Sequence, residues 1–217
     1  TTDGALIRQV RLSGIDPLSL AINDSDRTER RSGIVTDAKQ TPTAVFPYDS
    51  DNDGNEEILV ALHTGVLQLY NQLGQLIWEF TDSDIVHADA TPHIVLEDFD
   101  LDGEKEIVLG MFASRRFGQL IYFDNEERRW DLSMSGRITA VSAIDYGTTN
   151  SPQIAVATNI GELHLFSTQR ERLWKRTLNK SITAMAPIQL PQGIALAVGT
   201  SAGTVVTYDH QGQRFWT

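Results

Sequence analysis

Two stretches of this sequence carry acidic residues at alternate positions and run directly into an apolar segment. The first is Asp49-Ser-Asp-Asn-Asp-Gly-Asn-Glu-Glu-Ile58, and the second is Asp98-Phe-Asp-Leu-Asp-Gly-Glu-Lys-Glu-Ile107. Each has carboxylates at loop positions 1, 3, 5 and 9 and glycine at position 6. A hard cation such as calcium takes about six to eight oxygen ligands. Alternate aspartates, a glycine that permits a tight turn and the main-chain carbonyl of position 7 therefore predict a calcium loop.

The composition limits the classes of partner. The 217 residues have a formal net charge of −11 and no cysteine, which excludes disulfides, zinc–thiolate sites and cysteine nucleophiles. The acidic balance argues against nucleic acid, which favours a basic face. No segment approaches the roughly eighteen consecutive apolar residues of a membrane-spanning helix, so membrane insertion is not expected.

A second pattern shows that the acidic stretches belong to a repeat. A glycine followed five residues later by an aromatic residue occurs four times: Gly65 with Tyr70, Gly118 with Phe123, Gly161 with Phe166, and Gly203 with Tyr208. A tryptophan follows each glycine after 12 or 13 residues: Trp78, Trp130, Trp174 and Trp216. All four tryptophans of the chain share this register, which indicates packing between repeats rather than sugar binding.

Each repeat is predicted to contain four short strands, and the second is a continuous apolar run typical of a strand buried on both faces. Because the glycines recur every 42 to 53 residues, the spacing is that of β-propeller blades. The prediction is an all-β propeller with four four-stranded blades at 36–83, 84–135, 136–179 and 180–217. Residues 112–117 lengthen the second repeat between its second and third strands.

The N-terminal part differs from the repeats. Residues 1–14 resemble the outer strand of a preceding or closing blade, and residues 15–35 are predicted to form an irregular polar connector. Three arrangements stay open: a segment of a larger propeller, which we favour, a small ring with the N-terminal strand at its seam, or an open arc completed by another chain.

The order of acidic loop, apolar strand, glycine–aromatic element and tryptophan resembles the FG-GAP/VCBS type of β-propeller repeat, to which the loops of the integrin α-subunit head are related. The resemblance covers roughly residues 36–217. It implies two structural Ca²⁺ sites. The carboxylates of the first would be Asp49, Asp51, Asp53 and Glu57, and those of the second Asp98, Asp100, Asp102 and Glu106. The main-chain carbonyls of Asn55 and Glu104 would complete the two sets.

The other two repeats depart from this pattern. The third has one carboxylate in its loop, Asp145, and the fourth loop, residues 189–193, has none, so we expect no ion in either. An EF-hand is excluded because its position-12 glutamate would fall at Val60 and Leu109, and no helices flank the loops.

No catalytic motif stands out. No nucleophile elbow, phosphate loop or dinucleotide fingerprint is present. His87 and Asp89 have the spacing of an acid–base pair, but polar residues at the mouth of an inner strand are the simpler interpretation. The arginine pairs at 115–116 and 128–129 read as solvated loop charge.

Three functions are consistent with these patterns. The first is a non-catalytic propeller that acts as a protein-interaction scaffold or adhesion module. Its partner would be a protein, for example another propeller segment or subunit. A carbohydrate-binding or polysaccharide-processing module is the alternative, with Phe112 and Phe117 as its only candidate aromatics. A quinone-dependent dehydrogenase ranks last. Calcium loops of this kind fill at millimolar calcium, which favours an extracellular, cell-surface or periplasmic location without excluding the cytoplasm.

Overall fold

The computed structural model describes residues 41–82, 91–114, 117–149 and 151–215. All regular secondary structure in these residues is β-strand, arranged in four separate antiparallel sheets. Among them no helix is long and apolar enough to cross a membrane. The predicted N-terminal strand and connector, the pair His87 and Asp89, the arginines 115–116, and Trp216 lie outside the described residues.

The sheets follow one another along the chain, and each contains consecutive strands in sequence order. The first blade contains β1 (Pro42–Tyr48), β2 (Glu57–Leu62), β3 (Leu67–Tyr70) and β4 (Leu76–Phe80). The second contains β5 (His93–Glu97), β6 (Glu106–Ser114), β7 (Phe117–Asp124) and β8 (Glu127–Ser135). The third contains β9 (Ile138–Ile144), β10 (Gln153–Thr158), β11 (Glu162–Phe166) and β12 (Arg172–Thr177). The fourth contains β13 (Ile182–Leu190), β14 (Gly193–Thr200) and β15 (Val205–Tyr208).

The fourth blade has three strands within the described residues, and a fourth begins as a single bridge between Tyr208 and Arg214. The lengthened part of the second repeat is an extension of the β6–β7 hairpin, in which Phe112 pairs with Gly118. The lengthening therefore continues both strands, β6 to Ser114 and β7 from Phe117.

The second and third strands of the blades are largely buried on both faces, as their continuous apolar runs predict, with Ile58 and Val205 as exposed exceptions. Every residue of β3 and of β10 is buried, for example. The two faces pack on different neighbours. Leu59 and Leu69 of the first blade cluster with Ile107 and Phe123 of the second. The second blade packs likewise on the third, and the third on the fourth.

The tryptophans lie at these contacts between blades. The Trp130 indole N–H donates to the Thr168 carbonyl of the third blade (2.7 Å), and the Trp174 N–H donates to the His210 carbonyl of the fourth (3.0 Å). Trp78 packs edge-to-face on Phe123 of the second blade, with ring centroids 5.8 Å apart. These contacts confirm the packing role predicted for three of the four tryptophans.

Candidate cation-binding loops

The two acidic stretches form equivalent connections between the first and second strands of their blades. The first joins β1 to β2 and the second joins β5 to β6. Position 4 has a left-handed backbone in both, with φ of 54° at Asn52 and 67° at Leu101. The position-6 glycines also have positive φ, 86° at Gly54 and 97° at Gly103, a region that costs other residues energy. The repeated sequence thus gives a repeated backbone.

The structure brings most of the predicted ligands together. In the second loop, carboxylate oxygens of all four predicted acidic residues lie within 4.8 Å of one another: Asp98, Asp100, Asp102 and Glu106. In the first loop the same holds for Asp49, Asp51 and Glu57, whereas Asp53 is outside the cluster. One Asp53 oxygen instead accepts from the Asn55 main-chain and side-chain N–H groups, at 2.7 and 3.0 Å.

The position-9 glutamates have the same structural role in both loops. Glu57 accepts hydrogen bonds from the backbone N–H and hydroxyl of Ser50, both at 3.1 Å. Glu106 accepts from the backbone N–H of Phe99 at 2.6 Å. Both glutamates are buried, and their hydrogen bonds hold position 2 of each loop close to the start of the second strand.

The position-1 aspartates differ. Both oxygens of Asp49 accept from loop N–H groups, those of Asp53 (3.2 Å) and Gly54 (3.0 Å). In the second loop Asp98 Oδ2 accepts from Gly103 N–H at 3.0 Å, whereas the buried Oδ1 has no hydrogen-bond partner. A buried carboxylate oxygen without a donor is costly, and a cation at this point would supply the missing partner.

The electrostatics of the second loop agree with this arrangement. Burial, and after it the nearby carboxylates of Asp100, Asp102 and Asp98, raise the pKa of Glu106 to about 7, although the hydrogen bond from the Phe99 N–H opposes this rise. The pKa of Asp100 is also raised, first by burial and then by neighbouring carboxylates. The clustered carboxylate oxygens form a donor set that suits a hard divalent ion. The residues present therefore fit calcium.

Three supporting residues were missed by the sequence patterns. Gln72 donates to Glu57 (2.6 Å), the Tyr122 hydroxyl lies near Glu106, and the Tyr48 hydroxyl lies near Glu126 of the second blade. The strand register could have placed Tyr122, because it pairs with Val108 beside the loop. The other two contacts come from residues in turns, Gln72 and Glu126, and no sequence spacing indicates them.

The equivalent connection in the third blade closes without clustered acids. Gln153 takes the place of the position-9 glutamate, is buried, and donates to the Thr149 hydroxyl and the Ser151 carbonyl. Asp145 accepts from Gly147 N–H at 2.8 Å. Amide and hydroxyl groups therefore satisfy one another here. That no ion binds in the third and fourth blades stays a prediction.

The remaining polar groups form no catalytic arrangement among the described residues. His164 stacks on Phe166 and contacts Glu162 (3.2 Å), which also holds Lys175 at 2.6 Å. Burial lowers the pKa of His164, although Glu162 opposes this. The candidate Phe112 lies beneath the Arg137 guanidinium, 5.5 Å from the ring centroid, and Phe117 is exposed on the long hairpin. The arginines of the 128–129 pair are held by neighbouring carboxylates.

Comparison with solved structures agrees with this architecture. One similar structure is BBS1N in complex with ARL6DN, with a TM-score of 0.56, 17% identity, and 78% of this chain covered against 52% of that one. Another is Sqt1 of Saccharomyces cerevisiae, with a TM-score of 0.61, 15% identity, and 82% of this chain covered against 48% of that one. Both are β-propellers.

The fold is a β-propeller. This confirms the predicted all-β propeller, although the chain spans only about half the length of the propellers it resembles. No protein-family model matches the sequence, and the comparison with curated proteins gives no match. At these identities the likeness concerns the fold alone.

Proposed function

We propose that this propeller is a calcium-stabilised, non-catalytic protein-interaction module of the FG-GAP/VCBS kind. The observation that carries the calcium part is the second loop, where four carboxylates converge around a buried Asp98 oxygen that has no donor. Asp98, Asp100, Asp102 and Glu106 would hold one ion, with the Glu104 carbonyl. Asp49, Asp51 and Glu57 would hold a second, with Asp53 and the Asn55 carbonyl completing the set.

The ion would act on structure rather than on a reaction. It would neutralise carboxylates that otherwise repel one another and would fix the connection between the first two strands of a blade. Stabilisation follows from mass action, because an ion that binds only the folded chain shifts unfolding to higher temperature. Loops of this charge would fill at extracellular calcium concentrations, so we propose an extracellular, cell-surface or periplasmic location.

The interaction part is supported by the absence of a catalytic arrangement among the described residues and by the neighbouring fold. BBS1N was crystallised with a protein, ARL6DN. A propeller of stacked blades offers loops and rims of the kind that bind proteins. A protein partner is therefore the expected ligand class for this chain, and carbohydrate is the competing outcome.

Thermal unfolding in millimolar calcium and in chelator tests the calcium part. We expect calcium to raise the melting temperature of the wild-type chain, and Asp100→Ala and Asp51→Ala each to reduce that rise with little effect in chelator. Leu173→Asp, on the exposed outer strand of the third blade, is the matched surface control. Equal melting temperatures with and without calcium would remove this part of the proposal.

The interaction part needs a separate experiment. Proximity labelling with the chain fused to a biotin ligase, displayed in the proposed compartment, should mark a reproducible set of proteins. An Asp51→Ala/Asp100→Ala double variant should lose that set. A glycan array probed with the same purified chain distinguishes the alternative, since saturable glycan binding without protein labelling would favour a carbohydrate module.

A further inference from the structure

The hairpins that join the second to the third strand differ between the blades at one position. This position directly precedes the repeat glycine, and it holds Thr64, Phe117, Ile160 and Ala202 in the four blades. Phe117 is 51% exposed and Ile160 is 50% exposed, whereas Thr64 is buried. The second and third blades therefore place large apolar side chains in solvent at a position where the other two blades have a small residue.

These two side chains are connected through the link between the second and third blades. Phe117 forms a parallel backbone bridge with Gly136. Ile160 lies against the same glycine, since a Cβ added at Gly136 would be 3.0 Å from Ile160 Cγ1. The backbone N–H of the next residue, Arg137, donates to the Asn159 side-chain oxygen at 2.7 Å. Phe117, Gly136 and Ile160 therefore form one continuous surface across the junction of two blades.

Two basic residues border this surface. The Arg137 guanidinium lies over the Phe112 ring, 5.5 Å from its centroid, and donates to the Thr91 hydroxyl. Lys180 is exposed, and its carbonyl oxygen lies beside Gly161, where an added Cβ would meet it at 2.6 Å. The name hairpin strip is used below for five residues that these contacts connect: Phe117, Gly136, Arg137, Ile160 and Lys180.

The segments that hold the hairpin strip carry positive charge. The three connections in this part of the chain, residues 135–137, 159–161 and 178–181, contain one arginine and one lysine but no aspartate or glutamate. Two further arginines, at 115–116, directly precede Phe117 in the sequence. Opposite charges across an interface select a partner and speed its association. The strip therefore favours a negatively charged ligand.

The acidic groups nearest to the hairpin strip are engaged or distant. Glu162 follows Gly161, but its Oε1 accepts from Lys175 at 2.6 Å and its Oε2 contacts the His164 ring at 3.2 Å. The acidic loops lie at the other end of the blades, because they join first to second strands and the hairpins join second to third strands. No ion pair within the described part of the chain includes Lys180.

We propose that the hairpin strip binds a segment of a partner protein that combines apolar side chains with carboxylates. The apolar side chains of that segment cover Phe117 and Ile160, and its carboxylates face Lys180 and Arg137. A few large anchors carry most of the affinity of a protein interface, and the charges add selectivity. This inference deepens the proposed interaction function and rests on it, because it names the surface and the chemistry of the partner. It does not depend on calcium.

Selection from a display library of random short peptides on the purified wild-type chain tests the inference. We expect the selected peptides to be enriched in both acidic and apolar residues. In fluorescence anisotropy, Phe117→Ser and Ile160→Ser should each raise the Kd of a selected peptide at least about tenfold. Lys180→Glu should raise the Kd about threefold to tenfold and should reduce its dependence on salt, since salt screens exposed charges.

Two matched variants control for changes elsewhere on the surface. Leu173→Ser replaces an apolar residue that is 43% exposed on the outer strand of the third blade. Arg170→Glu reverses an exposed charge in the turn at the other end of β11. Both should leave the Kd within about twofold of the wild-type value. Thermal unfolding of every variant in chelator checks that the fold is retained, and Ile160→Ser and Lys180→Glu keep the test decisive if Phe117→Ser does not fold.

Several results would overturn the inference. These are a selection that yields no binder, selected peptides that are basic, and peptides that bind Phe117→Ser and Ile160→Ser as tightly as wild type. Glycan binding that Phe117→Ser abolishes would assign the strip to carbohydrate, and a dimer that Ile160→Ser dissociates would assign it to a second copy of the chain. Either assignment would also overturn the inference.

Proximity labelling separates failure of this inference from failure of the proposed function. If the Phe117→Ser/Ile160→Ser double variant still labels the wild-type set of proteins, the interaction function stands and the hairpin strip is not its site. If the wild-type chain labels no reproducible set, the interaction function itself fails. Loss of the set in the double variant, together with an unchanged set in Leu173→Ser, is the result that we expect.

Discussion

The two acidic loops share a sequence pattern and a backbone, yet they are built on different supports. Position 2 is the partly exposed Ser50 in the first loop and the fully buried Phe99 in the second. Phe99 packs in the cluster between the second and third blades and lies 6.0 Å from the Tyr122 ring. The first loop hydrogen-bonds its own carboxylates more completely. A repeated motif therefore fixes the turn, while the neighbouring blade determines how far the loop is buried.

The largest change in stability is expected at position 2 of the two loops, where Phe99 and Ser50 differ. Phe99→Ala should lower the free energy of unfolding by about 3–5 kcal/mol, because it leaves a cavity between two blades. Ser50→Ala, the matched change, should cost about 1 kcal/mol through the lost bond to Glu57. Denaturant unfolding in chelator measures both. Similar losses for the two variants would show that the loops are anchored alike.

The next effect concerns calcium affinity. Asp98→Asn should weaken calcium binding at the second loop at least tenfold, about 1.4 kcal/mol, because it removes a charge and the oxygen that has no donor. Asp49→Asn should weaken the first loop less, since both Asp49 oxygens already accept loop hydrogen bonds. Isothermal titration calorimetry resolves the two sites.

In chelator, Asp98→Asn should be no less stable than wild type, since it reduces repulsion among the carboxylates. A larger loss of affinity from Asp49→Asn would reverse the ranking of the two loops.

A smaller pair of effects tests the partners of the position-9 glutamates. Tyr122→Phe removes the hydroxyl that lies near Glu106 and keeps the ring, which stacks on Trp130 with ring centroids 5.2 Å apart. Gln72→Ala removes the donor to Glu57. Each should cost about 1 kcal/mol, as expected for one hydrogen bond. We expect the Tyr122 change to be the larger in thermal melts, because Glu106 is then left with fewer donors in a buried setting.

The smallest effect is a stabilisation. Leu101 occupies a left-handed backbone conformation at position 4 and is 60% exposed, where the first loop has Asn52. Leu101→Asn should raise stability by about 0.5–1 kcal/mol, because asparagine tolerates this conformation better than leucine. The reciprocal Asn52→Leu should lower it by a similar amount. A destabilised Leu101→Asn would indicate that the leucine makes a contact that its exposure does not suggest.

Much of the fold was predictable because every blade repeats the same local pattern. That pattern indicates both the strands of a blade and the contacts between blades. The apolar runs that begin at Ile58 and Ile107 identify second strands, and the tryptophan register identifies contacts between blades. The candidate ligands of the second loop were predictable for the same reason, since alternate aspartates on a tight turn converge. Asp53 shows the limit of that reasoning, because its carboxylate also accepts a hydrogen bond from the Asn55 side chain, a bond that has no equivalent at Asp102.

The residues that surround the acidic loops could not be predicted from the spacing of residues in the sequence. Tyr122 reaches Glu106 through the pairing of β6 with β7, and Glu126 reaches Tyr48 from a turn of the next blade. The lengthening of the second repeat at residues 112–117 was predicted, but its continuation as strand was not, because these residues show no alternation typical of a strand.

The all-β repeat, the positions of the two acidic loops and the register of the tryptophans follow from the amino-acid sequence, because each depends on residues within one blade. The packing of the blades, in contrast, leaves an Asp98 oxygen without a donor, buries Phe99, and leaves Ile58 and Val205 exposed. Whether a residue is buried depends on the surface that packs against it. Equivalent residues in a repeat therefore have the same backbone but different energies, according to whether another blade covers them.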